Sequence, residues 1–189
     1  MAIPDEARAV DTPLRPPDTV NPRLGEQMWF DGDETETRII GRIGAHSPGP
    51  PLHLHRVTDE TLTVRSGRVR FTIEGRVHEL GPGDSLEIPR GARHRFENPY
   101  DEDVWMVGSV RPGIVHEVAM RLLYGALARP RPNPLELAVA FHDGDNYPGA
   151  IPLPIARAAV LLLYGISSAT GVAARFRSAN LGSPPSQPR

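Results

Sequence analysis

The sequence predicts a mainly β fold, an antiparallel β-barrel carrying a C-terminal α-helical extension. Three observations carry that expectation. Short β-rich runs separated by turn residues fill the stretch 29–110, the clearest of them alternates strictly, and the pattern turns helical after Pro112. In the run 68–73, Val69, Phe71 and Ile73 alternate with Arg68, Arg70 and Thr72, the period-two signature of a strand with one buried face. Many short strands at this spacing imply a closed or two-layered antiparallel sheet.

Taken in order, residues 1–28 are rich in Pro, Asp and Arg and read as an extended N-terminal arm. The barrel is expected over 29–111, with strands at 37–43, 60–65, 68–73, 77–80, 85–88, 93–97 and 104–110. Ser66-Gly67, Glu74-Gly75 and the run 81–84 supply turns between them. Residues 112–178 read as a helical extension, with helices at 117–127, 135–141 and about 155–175, packed on the barrel or at a dimer interface. Val118, Leu122, Leu123 and Leu127 share one face of the first. The run 179–189 reads as a disordered tail. The strand block occurs once, so a single barrel is expected.

Composition narrows the function. A net charge of −2 and a pI near 6.4 argue against nucleic acid as partner. All 21 basic residues are arginine, which reads as the coding bias of a GC-rich, bacterial genome and carries no functional weight. With no cysteine, disulfides, thiolate metal sites and cysteine nucleophiles are excluded, so any metal must be held by imidazole and carboxylate. The apolar run 158–174 contains Gly165, Ser167, Ser168, Thr170 and Gly171 and falls short of the roughly 20 apolar residues of a membrane span. It is expected to pack on protein. The charged first residues do not resemble a secretion signal, and a cytoplasmic location is expected.

The chemistry concentrates in a few residues. In His53-Leu54-His55, strand alternation puts both imidazoles on one face and Leu54 on the other. Glu60 heads the next β-rich run, and His94 follows the tight turn shaped by Pro89 and Gly91. Three imidazoles and a carboxylate converging from different strands suit one divalent transition metal, iron first, with manganese, nickel, zinc or copper also accommodated. Candidate pocket residues are His46, Leu62, Phe71, Phe96 and Trp105. His78 reads as solvent-facing and His116 as a helix-capping or packing residue. The run 142–147 reads as a loop able to hold a cation or cover the barrel mouth.

These residues resemble the cupin superfamily. Its first pattern is matched by His53, His55, Glu60 and Gly67, departing only where Ser47 stands in place of a leading glycine, with Gly49 nearby. Its second pattern is matched without a gap by Gly83, Pro89, Gly91, His94 and Asn98. The resemblance implies a jelly-roll-like barrel and a metal held by His53, His55, Glu60 and His94, with Glu60 also the candidate catalytic base. It further implies a metal-dependent enzyme acting on a small, hydrophobic organic substrate, with dioxygenase-type oxidation ahead of non-redox cyclisation or isomerisation. A barrel that only binds a small ligand is the third expectation. Small cupins imply a homodimer.

Overall fold

A computed structural model describes residues 15–181, apart from the side chains of Ile114 and Val115. The expected lead-in over residues 1–14 and most of the tail, 182–189, lie outside the described residues. Ten strands come first: β1 (Thr19–Asn21), β2 (Glu26–Gly32), β3 (Thr37–Ile43), β4 (His53–His55), β5 (Asp59–Ser66), β6 (Val69–Ile73), β7 (Arg76–Leu80), β8 (Ser85–Ile88), β9 (His94–Glu97) and β10 (Val104–Arg111). The helical part follows as α1 (Gly113–Leu127), α2 (Pro134–Asp143), β11 (Asn146–Pro148), α3 (Leu153–Ala169) and α4 (Val172–Leu181). Two antiparallel sheets face one another, ordered β1-β2-β3-β10-β5-β8 and β11-β4-β9-β6-β7.

Local chemistry accounts for the strands. In β3 (TRIIGRI) every second residue is buried, and β10 pairs it on one side while β2 pairs it on the other. Glu74 and Gly75, both at positive φ, make the two-residue connection between β6 and β7. Gly49 stands where the backbone must pass close to β9: a Cβ there would sit 1.8 Å from the Phe96 carbonyl oxygen, and its φ is +63°. Ile43, Val64, Val69, Phe71, Ile88, Val104 and Met106 form the core between the sheets.

The sheet begins at Thr19 and not at Trp29. Asp18 explains the earlier start, because its carboxylate accepts from the Phe30 amide and from Arg15, fastening the lead-in along β2. At the other end, the helix expected over 155–175 is broken. Its first part ends where the Thr170 hydroxyl donates to the Ile166 carbonyl at 2.8 Å and Gly171 takes a left-handed φ of +71°. α4 then leaves α3 at 92° and runs on to Leu181, past the expected tail boundary at 179. Among the described residues no single helix is long and apolar enough to cross a membrane.

Two apolar clusters join the extension to the barrel, and a third holds its helices together. α1 sends Ala119, Met120 and Tyr124 against Met28, Phe30, Ile39 and Val110 of the larger sheet. Its other face carries Leu122 and Ala126 into a cluster with Val139, Ala140, Ala173 and Phe176. Leu54, alternating with the two histidines of β4, packs away from the cavity against Tyr147, Ala156 and Val160.

Candidate metal centre

Strand pairing assembles the site. His53 on β4 lies in register with His94 on β9, their ring centroids 4.3 Å apart, while His55 sits 5.1 Å from His53 and 5.4 Å from His94. One ring nitrogen from each of the three falls within 4.8 Å of the others. Glu60 on β5 reaches the same place, with Oε1 3.0 Å from His55 Nε2 and 3.9 Å from His94 Nε2. The structure therefore brings His53, His55, Glu60 and His94 together.

It also brings in a residue expected from the sequence only to cap or pack a helix. His116, in the first turns of α1, places Nδ1 3.8 Å from Glu60 Oε1, and its ring lies 5.7 Å from that of His55. His55, Glu60 and His116 form a second set of ligand atoms within 4.8 Å. No spacing in the two motifs reaches position 116. Only the packing of α1 over the barrel puts it there.

The donor set is suited to a cation. His55 Nδ1 and Nε2, Glu60 Oε1 and His116 Nδ1 are buried without a hydrogen-bond partner, so the close approach of His55 to Glu60 lacks hydrogen-bond alignment. Such orphaned polar atoms are costly unless a partner outside the chain satisfies them. His53 Nδ1–H donates to the Pro51 carbonyl at 2.9 Å and His94 Nδ1–H to the Ala92 carbonyl at 3.0 Å. Because a carbonyl only accepts, the proton is fixed on Nδ1 and the Nε2 lone pair is left for a metal.

Charge agrees with geometry. Burial, reinforced by His94 and His55, keeps His53 well below the ordinary imidazole pKa. Burial lowers His94 too, against the pull of Glu60, and brings His116 down to about 4. For Glu60 burial acts upward, but the contact with His55 and the nearby His116 and His94 outweigh it and hold the carboxyl well below its usual range. Near neutral pH His53, His94 and His116 are thus neutral beside the Glu60 carboxylate, the protonation state in which such groups bind divalent cations.

The cluster opens on a cavity of about 70 Å³ with mainly apolar walls. Leu62, Phe71 and Phe96 line it as expected. His46 and Trp105 do not. His46 sits at a positive-φ turn outside β4, 3.0 Å from Asp101 and well exposed. Trp105 lies between Val104 and Met106, which point inward, so strand alternation sends it outward to stack on Trp29 at 5.7 Å. The run 142–147 folds as the end of α2, a turn at Gly144 and Asp145, and the start of β11. Asp145 accepts from the amides of Arg56 and Val57 and from the Arg56 side chain, and β11 pairs along β4, setting Asn146 opposite His55. Asn98 is a turn residue, its amide donating to the carbonyls of Gly44 and Glu102.

Comparison with known proteins agrees with this architecture. Residues 41–108 match the family model described as "Cupin domain". This segment is a cupin domain. The chain is 32% identical over 126 residues to "Oxidoreductase iacF" of Pestalotiopsis fici, covering 60% of this chain and 62% of that protein. It is 35% identical over 60 residues to "Polyketide synthase CurC" of Streptomyces cyaneus, covering 32% of this chain and 39% of that protein. It therefore spans less than two thirds of either relative. Among solved structures it is similar to KdgF from Halomonas sp., at 21% identity and a TM-score of 0.46, over 50% of this chain and 83% of that one. The cupin segment carries His53, His55, Glu60 and His94, while α1 and His116 lie beyond it.

Proposed function

We propose that this protein is a metal-dependent enzyme acting on a small, largely hydrophobic organic substrate, with dioxygenase-type oxidation as the leading reaction. The observation that carries the reading is the convergence of unpartnered buried donors from His55, Glu60 and His116, beside His53 and His94, on the wall of an apolar cavity. His53, His55, Glu60 and His94 would hold the cation. A bound divalent transition metal supplies Lewis acidity and, where the metal is redox-active, access to oxygen chemistry. The chain's own part is to fix the imidazole tautomers through Pro51 and Ala92, to keep Glu60 ionised, and to exclude water with Leu62, Phe71 and Phe96.

The name of the first relative, an oxidoreductase, supports the redox reading. The polyketide-synthase name of the second favours the alternative, a non-redox cyclase or isomerase that uses the metal as a Lewis acid. Loading the metal-free protein with Fe(II) and following oxygen uptake with candidate substrates separates the two. Substrate-dependent uptake supports oxidation, turnover without oxygen supports the alternative, and tight binding without either supports a ligand-binding barrel. The expected homodimer belongs to this reading as well, with exposed Ile155, Leu161, Leu162 and Ile166 of α3 as the face it would bury. Light scattering on the full chain tests it.

A further inference from the structure

The cavity has a second polar end, built from residues outside both cupin motifs. Glu26 on β2 is 1% exposed and lines the same cavity as His53, Glu60, His94 and His116. Its Oε2 accepts from the Tyr124 hydroxyl on α1, while its Oε1 is buried without a partner. Met28, Ile39 and Met120 cluster with Tyr124, and Ile43 stands opposite Glu26 on β3.

No arginine lines this cavity among the described residues, although the chain has 21 basic residues, all of them arginine. Glu26 therefore faces the cavity without a counter-charge. Burial pushes its carboxyl up to about 7 against the lowering effect of Tyr124, and burial together with Glu26 lifts the Tyr124 phenol well above 10. An anionic ligand would meet a carboxyl and a phenol here with no cation to receive it. A wholly apolar ligand would leave Oε1 unsatisfied. A hydroxyl satisfies it while the rest of the molecule fills the apolar walls.

We propose that Glu26 and Tyr124 form a recognition subsite that takes the hydroxyl of a neutral, largely apolar ligand whose other end lies toward the histidine–glutamate cluster. The far end rests on the proposed function. The hydroxyl subsite rests on Glu26, Tyr124 and the cavity alone.

The test is binding of four probes of similar size, phenol, toluene, benzoate and benzylamine, followed by calorimetry on the full chain in metal-free and zinc-loaded forms. Wild type should bind phenol about tenfold tighter than toluene or benzoate, the upper range of one uncharged hydrogen bond. E26L should erase the preference for phenol over toluene while still binding toluene, which shows an intact cavity. E26Q should keep part of the preference, and Y124F should change its size. An unchanged phenol-to-toluene ratio in E26L would overturn the proposal, as expected if the Asn21 amide, paired across β1–β2 with Glu26, satisfies Oε1 internally. Tighter binding of benzylamine or benzoate than of phenol would overturn it too. A Glu26-dependent preference in a protein that binds no zinc would sink the metal reading and leave the subsite standing. Zinc binding with no Glu26 dependence would do the reverse.

Discussion

The two ends of the cavity are built on opposite plans. At one end, His53, His55 and His94 bring ring nitrogens within 4.8 Å of one another, His55, Glu60 and His116 do the same with their ligand atoms, and the surrounding imidazoles hold the Glu60 carboxyl down. At the other, the Glu26 carboxyl stands among methionine and isoleucine side chains, bonded by Tyr124 and with Asn21 across the β1–β2 pair, and burial sets its protonation. The first end is an arrangement of donors able to hold a cation. The second is a lone acceptor that tolerates neutrality. Burial pushes both carboxyls up, but the imidazoles around Glu60 outweigh it and hold that one down, so the neighbours decide the sign.

The largest test of that contrast removes the first end. The double variant H53A/H94A should bind no metal, read as a metal-to-protein ratio near zero by elemental analysis, while toluene still enters the cavity. Full metal occupancy in that variant would end the metal assignment.

Next in size is the pH dependence of stability at the second end. Glu26 moves from 4.5 to about 7 on folding, so the folded state holds the proton more tightly. Its contribution is present below pH 4.5 and is lost as pH rises through about 7, an effect of about 3 kcal/mol at about 1.4 kcal/mol per unit. His53, His94 and His116, lowered on folding, tilt the curve the other way, but equally in wild type and E26Q. The difference between their urea-unfolding curves in the metal-free state should therefore fall between pH 4.5 and 7. A flat difference would show that Glu26 is not buried as a neutral acid.

A smaller effect is expected where α1 meets the first end. H116A should weaken metal binding by about 10- to 100-fold, the range for a residue that supports a ligand, measured by chelator competition. Unchanged affinity would confine the centre to the barrel strands. Smallest of all, Y124F should cost about 1 kcal/mol. Because the tyrosine bond lowers the Glu26 pKa, its loss should also move the pH midpoint upward.

The two ends also differ in how far the sequence discloses them. Period-two alternation places His53 and His55 on one face and Leu54 on the other, and motif spacing brings Glu60 and His94 to them, because each depends on local strand geometry. The barrel and its helical extension follow from the same kind of signal. His116, Glu26 and Tyr124 depend on how a helix from one part of the chain lies across strands from another, and no local period encodes that. Trp105 illustrates the limit from within the barrel. Its size suggests a pocket wall, whereas the parity of Val104 and Met106 sends it outward. The break at Gly171 was present in the composition of its segment, yet the conformation that makes it a bend needs the Thr170 bond to Ile166.

One consequence follows from the path of α1. His116, Met120 and Tyr124 stand four residues apart on a single face, so the helix touches both ends of the cavity at once. Eight residues of α-helix rise about 12 Å. The helix is therefore a caliper whose jaws are an imidazole and a phenol, and it gauges the length of what lies between them. Inserting one residue between its jaws would swing Tyr124 about 100° off the face, leaving the imidazole in place and the gauge without its second jaw.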